Sequence, residues 1–168
     1  MNIKLINFKF IAIHVLASLL MILAARELYL FYKAHFIEAA YLYSNQTDKF
    51  FEHIAAHEGN SNDPQVIFNY FYGRFFSGLG GLLLSTSLSW WLSRKSGVHS
   101  ANIFLVGLLG FSLLFFIQRA RFDLHQIINY FFDTYRAIGV RPVLLVHAIL
   151  LTLLSSLIFF YKNQKPLA

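Results

Sequence analysis

Residues 143–161 read VLLVHAILLTLLSSLIFFY, an apolar run without an Asp, Glu, Lys or Arg. About 20 such residues in a helix that rises roughly 1.5 Å per residue cross the hydrocarbon core of a bilayer. Three further stretches have the same character, at approximately 8–30, 75–92 and 101–118. The sequence therefore predicts an integral membrane protein with four transmembrane helices, of which 143–161 is the last.

The composition of the whole chain agrees with this prediction. Of the 168 residues, 57% are hydrophobic and 13% are charged, and the mean hydropathy is +0.55. Soluble domains carry roughly 25% charged residues, so a bilayer is the expected solvent. No linker or repeat divides the sequence, which predicts one domain over 1–168. We expect an all-α fold, an integral membrane four-helix bundle with an extracytoplasmic cap of amphipathic helical connections.

The first apolar run has a second interpretation as a secretory signal peptide. Ala24 and Ala25 would then be the small residues at a cleavage site. However, the run is longer than the usual apolar region of about 7 to 15 residues, and Leu23 fits poorly at the minus-three position of a cut after Ala25. A transmembrane helix is the preferred interpretation.

Lysine and arginine predict the orientation of the chain. One set of predicted helix ends is flanked by cations and carries no Asp or Glu: Lys4, Lys9, Arg94, Lys95, Lys162 and Lys165. The other side holds the remaining eight cations and all eight acids, but only two lysines against five. Because positive residues collect in cytoplasmic loops, we expect both termini in the cytoplasm, with the bacterial inner membrane as the location.

The two outer connections, 33–65 and 119–141, carry most of the polar residues. The first holds five acids and two lysines, a net charge of −3, and the second holds four arginines and two aspartates, a net charge of +2. They are expected either to dock on each other or to be solvated independently. The first is predicted to contain a surface helix, with Asp63-Pro64 beginning helix two. The second is predicted to stay helical over 119–137 until Gly139, and Arg141-Pro142 to begin the last helix.

Small residues recur every four positions in helix two, at Gly73, Ser77, Gly81, Ser85 and Ser89. In lipid, helices associate through close van der Waals contact and interhelical hydrogen bonds, which small residues permit. The stripe predicts a packing face, either within the chain or towards an oligomer or partner.

Histidines suggest metal or haem chemistry. His53 and His57 are spaced i, i+4 on the predicted surface helix, so both rings emerge on one face. A metal site would be completed by His125, or by Glu58, His35 or Asp123, if the outer connections meet. His14 and His147 fall inside predicted spans, where ionisable groups are costly. Their predicted depths differ by about 15 Å, so they are not expected to share one haem iron. Each is expected to bond a neighbouring helix or to act as a single ligand.

A polar cluster is predicted at the outer ends of the helices, formed by Arg26, Glu27, Arg74, Arg119, Arg121 and Asp123. Such a cluster suits an anionic head group, a quinone or a substrate. Alternatively, the arginines extend to lipid phosphates and pair locally, as Arg119 would with Asp123 at i, i+4.

The functional hypothesis is an accessory, assembly or scaffold subunit of a membrane complex, with a membrane-protein partner or self-association. The alternative is a membrane enzyme or redox protein whose outer His/Arg/Asp site holds metal, haem or quinone. A small transporter is a third possibility. No cofactor is favoured, and the absence of cysteine excludes thiolate ligands. Nucleic acid is not an expected partner, because the basic residues are dispersed along the chain.

Overall fold

The computed structural model describes residues 6–59, 64–120 and 122–160, which are helical apart from short connections. The helices in these ranges are, in chain order, α1 (Phe8–Tyr32), α2 (Ala34–Leu42), α3 (Thr47–Glu58), α4 (Pro64–Ser96), α5 (Ser100–Arg119), α6 (Leu124–Phe132), α7 (Thr134–Ile138) and α8 (Val140–Phe160). The predicted all-α class is confirmed. Lys4, Asp63, Arg121, Lys162 and Lys165 lie outside the described residues.

Three helices, α1, α5 and α8, are long and apolar enough to cross a membrane. They match three of the four predicted spans and imply contact with a lipid bilayer. The predicted span 75–92 lies within α4, which has 33 residues. This helix is less hydrophobic than α1, α5 and α8 and is not among the three that are apolar enough to cross a membrane. Glycine and serine recur along this helix and lower its mean hydropathy. A bundle of four spans is therefore not established by length and composition alone.

α1 is the central helix, since it packs against α4, α5 and α8, while α4 also packs against α5. One buried cluster takes side chains from all four helices, including Ile22, Leu82, Leu114 and Leu151. α4 approaches α1 closely, because a Cβ on Gly81 would lie only 2.6 Å from the Met21 carbonyl oxygen. Small residues thus let these two backbones meet.

The two ends of the bundle differ. At the end that we call the turn end, residues 97–99 join α4 to α5, and the Asn7 backbone N–H donates to Asn102 Oδ1 over 2.7 Å. At the opposite end, α1 and α5 end and α4 and α8 begin. The four shorter helices also lie there, and we call it the polar end.

The first connection forms two helices where one surface helix was predicted. α2 contributes Phe36 and Ala39 to a buried cluster with Ile54 of α3, so much of α2 is interior rather than exposed at a membrane surface. α3 itself is mostly exposed. α4 begins at Pro64, where the sequence predicted a helix start.

The second connection differs from the predicted continuous helix over 119–137. The chain leaves the helical conformation after Arg119, and Asp123 is extended, with φ −131° and ψ 117°. A second break falls at Asp133, which adopts the left-handed conformation with φ 45°. Asn129 holds this break, because its Oδ1 accepts the Tyr135 backbone N–H at 2.7 Å. α8 then begins at Val140, next to the start predicted at Arg141-Pro142.

The two connections contact each other. The Tyr41 hydroxyl donates to Asp133 Oδ1 over 3.3 Å, and Arg141 Nε lies 3.4 Å from Glu38 Oε1. Exposed pairs of this kind contribute only about 0 to 1 kcal/mol each. The contacts agree with the docked alternative rather than with independent solvation.

Candidate functional site

A buried charge network lies at the polar end. Arg26 and Glu27 come from the last turns of α1, Arg74 from α4, and Asp123 from the extended residues between α5 and α6. Gly78 of α4 lets Leu114 of α5 and Arg26 of α1 pack beside it, since a Cβ there would lie 2.6 Å from Leu114 Cδ1 and 3.4 Å from Arg26 Cγ. The side chains are therefore positioned by helix packing and by the break after α5.

The centre of the network is a triad of two arginines and one aspartate. Arg26 Nη2 lies 3.3 Å from Asp123 Oδ1, and Arg74 Nη2 bonds the same oxygen. The three residues are only 2%, 6% and 7% exposed, in the order Arg26, Arg74, Asp123. Arginine is effectively always protonated, so the triad holds two positive charges and one negative. Arg26 Nη1 and Arg74 Nε have no hydrogen-bond partner among the described residues.

Glu27 forms a second group with two histidines. Its Oε1 lies 3.1 Å from His125 Nδ1 and accepts the His125 backbone N–H at 3.3 Å. His147 Nδ1 of α8 lies 3.9 Å from Glu27 Oε2. Glu27 is 3% exposed and His125 is 1% exposed. The Glu27 carboxylate also stabilises the charge of its neighbour Arg26, and its Oε2 has no hydrogen-bond partner among the described residues.

Two tyrosines border the network. Burial raises the pKa of Tyr70 to about 12, and the Arg74 guanidinium, 5.7 Å from the Tyr70 ring, offsets this only in part. Burial also raises the pKa of Tyr135. Both hydroxyls therefore stay protonated at neutral pH. The Tyr135 hydroxyl has no hydrogen-bond partner within the described residues.

A cavity of about 340 Å³ opens on the triad, and we call it the polar-end cavity. Its walls are mostly apolar and aromatic, and two triad members provide its charged groups. The lining residues are Phe36, Ile37, Ala40, Phe50, Ile67, Tyr70, Phe71, Arg74, Asp123 and Gln126. Its volume falls in the range of about 300 to 1,000 Å³ typical of small-molecule sites, and a few convergent polar groups on apolar walls are their usual composition.

The predicted polar cluster is only partly assembled. Arg26, Glu27, Arg74 and Asp123 come together, whereas Arg119 is exposed and takes no part in the triad. Asp123 turns to α1 and α4 because the helix breaks before it, so the predicted i, i+4 pair with Arg119 is absent from the described ion pairs.

The histidines predicted to bind metal lie in two places. His125 contacts Glu27 and stacks on Tyr135, whereas the rings of His53 and His57 lie 4.9 Å apart on α3. Within the described residues, no group of three or more His, Asp or Glu is arranged to hold a metal ion. The metal site stays a prediction.

Glu58 is a centre of charge between α2 and α3. Its Oε1 accepts from Lys33 Nζ at 2.6 Å and lies 2.8 Å from His35 Nε2. Burial favours a higher pKa for Glu58, but Lys33 and His35 outweigh it and lower that pKa. Burial lowers the pKa of His35. This group joins the two helices and shares no residue with the triad.

The small-residue stripe is at least partly buried on α4, over Gly73, Ser77, Gly81, Ser85 and Ser89. A Cβ on Gly73 would overlap the Tyr29 ring of α1, and Ser89 Oγ lies 2.8 Å from His14 Nδ1. These contacts favour packing within the chain over an oligomer interface.

Three participants were not grouped with the polar cluster from the sequence: His147, Tyr70 and Tyr135. His147 carried a signal as an ionisable residue within a span, but its partner Glu27 is distant in sequence. The tyrosines resemble the many aromatic residues expected near helix ends, so no local signal separates them.

Comparison with known proteins finds no family model, no curated protein and no solved structure that matches this chain.

Proposed function

We propose that this multi-pass membrane protein crosses the bilayer four times and binds an amphiphile with an anionic head group in the polar-end cavity. The observation that carries the proposal is Arg74. It lines the cavity, it is 6% exposed, and its Nε has no partner among the described residues.

Support for the fourth crossing comes from the hydroxyl groups of α4. Ser85 and Thr86 both donate to the Leu82 carbonyl, over 2.9 and 2.8 Å, and Ser89 donates to Ser85 O over 2.9 Å. A hydroxyl that donates to a carbonyl of its own helix has a lower free-energy cost in lipid than the mean hydropathy of the helix implies. At the turn end, Arg94 and Lys95 lie over the rings of Trp90 and Trp91, as expected of residues at a membrane boundary.

The topology is tested by single cysteines in a chain that has none. Ser44→Cys lies between α2 and α3 and Ser100→Cys at the start of α5, and both positions are exposed. We expect a membrane-impermeant maleimide to label Ser44→Cys in intact cells and Ser100→Cys only after permeabilisation. Labelling of both from one side would mean that α4 does not cross.

Charge supports an anionic head group. The triad carries one more positive charge than negative, and the one acid within it already bonds both arginines through Oδ1. A buried charge without a partner is costly, whereas hydrogen bonds to charged groups contribute about 1.5 to 3 kcal/mol. Glu27 offsets this charge beside Arg26, whereas a carboxylate or phosphate next to Arg74 Nε would give that buried nitrogen a charged hydrogen-bond partner.

The binding test compares dodecanoate with dodecanol, which share a chain and differ in head charge, on protein in an uncharged detergent. We expect dodecanoate to bind at least about tenfold more tightly, equivalent to about 1.4 kcal/mol. Arg74→Gln should lose this preference yet fold, because Arg26 and Asp123 remain a matched pair. Equal binding of the two compounds, or full affinity for dodecanoate in a folded Arg74→Gln protein, would overturn the proposal.

An accessory or scaffold role is the second candidate, favoured by α6. Tyr130, Phe131 and Phe132 are 85%, 71% and 74% exposed, a large aromatic surface on one short helix. Aromatic residues are enriched in protein interfaces. If this role is correct, a constant companion chain co-purifies from the native membrane and is lost in Phe131→Ser. A monomer without a companion would contradict it.

A further inference from the structure

An apolar groove of about 580 Å³ runs beside the polar-end cavity, and we call it the α4 groove. It is lined by Ile67, Phe68, Phe71, Tyr72, Phe75 and Gln118. Ile67 and Phe71 also line the cavity, so the two spaces lie on either side of the same two side chains. The groove and the cavity are therefore neighbours that share these two side chains as lining.

We infer that the amphiphile has a single apolar chain, which leaves the cavity past Ile67 and Phe71 and lies in the α4 groove. The ligand then exchanges directly with the bilayer. This inference rests on the proposed anion-binding cavity.

The position of the groove along α4 supports this occupant. It extends from Ile67 to Phe75, about 12 Å at 1.5 Å per residue. Phe75 is the first residue of the predicted span 75–92, so the groove leads from the level of the head groups to the start of the hydrocarbon. The Arg74 guanidinium lies 5.7 Å from the ring of Tyr70, one turn further out along α4, so the anionic head binds near the outer part of the groove and the chain runs inwards to Phe75.

The groove walls also suit a chain. Phe68, Phe71 and Tyr72 are 56%, 43% and 56% exposed, so their rings form an open aromatic surface. The lining residues with polar groups are Tyr72 and Gln118, and Gln118 Oε1 is buried and has no partner within the described residues. An apolar chain matches such walls, whereas a second charged group would find no counter-charge among them.

The experiment uses hexadecanoate that carries a diazirine near the middle of its chain. The full-length protein in lipid vesicles is photolysed, and the labelled peptides are mapped by mass spectrometry. We expect saturable labelling of residues 67–75 and of the end of α5. A short probe, hexanoate with the diazirine next to its carboxylate, should instead label the cavity residues of α2 and α6.

Two matched variants test whether the labelling depends on the α4 groove. Phe68 and Phe104 are both exposed phenylalanines on long helices, at 56% and 71%, but only Phe68 lines the groove. Phe68→Ser should reduce the long probe's labelling several-fold, while Phe104→Ser should not change it. Phosphatidic acid has an anionic head but two chains, so it should compete poorly with the long probe.

Failure of the inference can be told from failure of the proposed function. Saturable labelling that requires Arg74 but falls on α2 and α3, or that phosphatidic acid removes fully, would overturn the single chain in the groove and leave the anion site intact. Labelling that does not saturate and is unchanged in Arg74→Gln would overturn both.

Discussion

His14 of α1 and Ser89 of α4 are hydrogen-bonded across the buried core, with 2.8 Å between Nδ1 and Oγ. Both side chains are fully buried, and the His14 ring stacks on Phe10 with 3.8 Å between ring centroids. The Ser89 hydroxyl also lies 2.9 Å from the Ser85 carbonyl oxygen of its own helix, so it contacts both helices. The intramembrane histidine therefore joins two helices, as one of the two sequence hypotheses expected.

Ser89→Ala removes one partner of this bond and should destabilise the fold modestly. Hydrogen bonds between transmembrane helices contribute about 0.6 kcal/mol on average and up to about 1.7 kcal/mol. The free energy of unfolding, measured by titration with SDS in mixed micelles, should fall by an amount in this range. Ser87→Ala is the control, because Ser87 is exposed and bonds only the Leu83 carbonyl of its own helix. Equal effects of the two substitutions would show that the contact with His14 contributes nothing.

Gly80 and Gly81 should respond to alanine with opposite signs. A Cβ on Gly81 would lie 2.6 Å from the Met21 carbonyl oxygen, a backbone atom that can move only if α1 moves. Gly81→Ala should therefore lower the unfolding free energy by about 1 to 3 kcal/mol. A Cβ on Gly80 meets nothing within 4 Å, so Gly80→Ala should raise it by up to about 1 kcal/mol through helix propensity.

The same SDS titration measures both glycine variants. Stabilisation by Gly81→Ala would mean that α1 and α4 are not in close contact at this point.

Much of the fold followed from apolar length. The sequence runs that form α1, α5 and α8 are long and nearly free of charge. Such runs are predicted to be helical because backbone groups in lipid must be hydrogen-bonded within the segment. The helix starting at Pro64 was also predicted from its N-terminal signals. The breaks in the second connection were not, because the apolar periodicity of 119–137 continues through Asp123 and Asp133 while tertiary contacts of these two aspartates interrupt the helix.

Asp123→Asn should be strongly destabilising, because it removes the buried carboxylate that pairs with both Arg26 and Arg74. Breaking a buried ion pair by removing one partner typically costs about 3 to 5 kcal/mol. Thermal unfolding in micelles, followed by circular dichroism, measures the loss. Combining Asp123→Asn with Arg26→Gln should recover part of it, since one unpaired charge is removed.

The matched control is Asp48→Asn, an exposed aspartate in the first turn of α3, for which we expect a change below about 1 kcal/mol. An Asp123→Asn protein as stable as the native chain would mean that the arginines find other partners.

The candidate site was predictable in composition but not in geometry. Arg26, Arg74 and Asp123 were grouped from the sequence because their helices end at a similar depth. The pairing of Glu27 with His125 and His147 depends on how α6 and α8 approach α1, and nothing local in the sequence specifies that approach. The exposed position of Arg119 was also not predictable from local sequence. It results from the helix break after Arg119, which places Asp123 in the interior and leaves Arg119 at the surface.

Substitutions of Asp133 test whether the break between α6 and α7 requires a residue in the left-handed conformation. Its φ of 45° is costly for most residues with a Cβ, and β-branched side chains suffer most, while glycine adopts it freely. Asp133→Val and Asp133→Gly both lose the hydrogen bond from Tyr41, so the difference between them reports the backbone alone. We expect Asp133→Val to be less stable than Asp133→Gly by about 1 to 2 kcal/mol, with faster amide hydrogen exchange over α6 and α7. Equal stability of the two variants would mean that the left-handed conformation is not required for α7 to pack against α8.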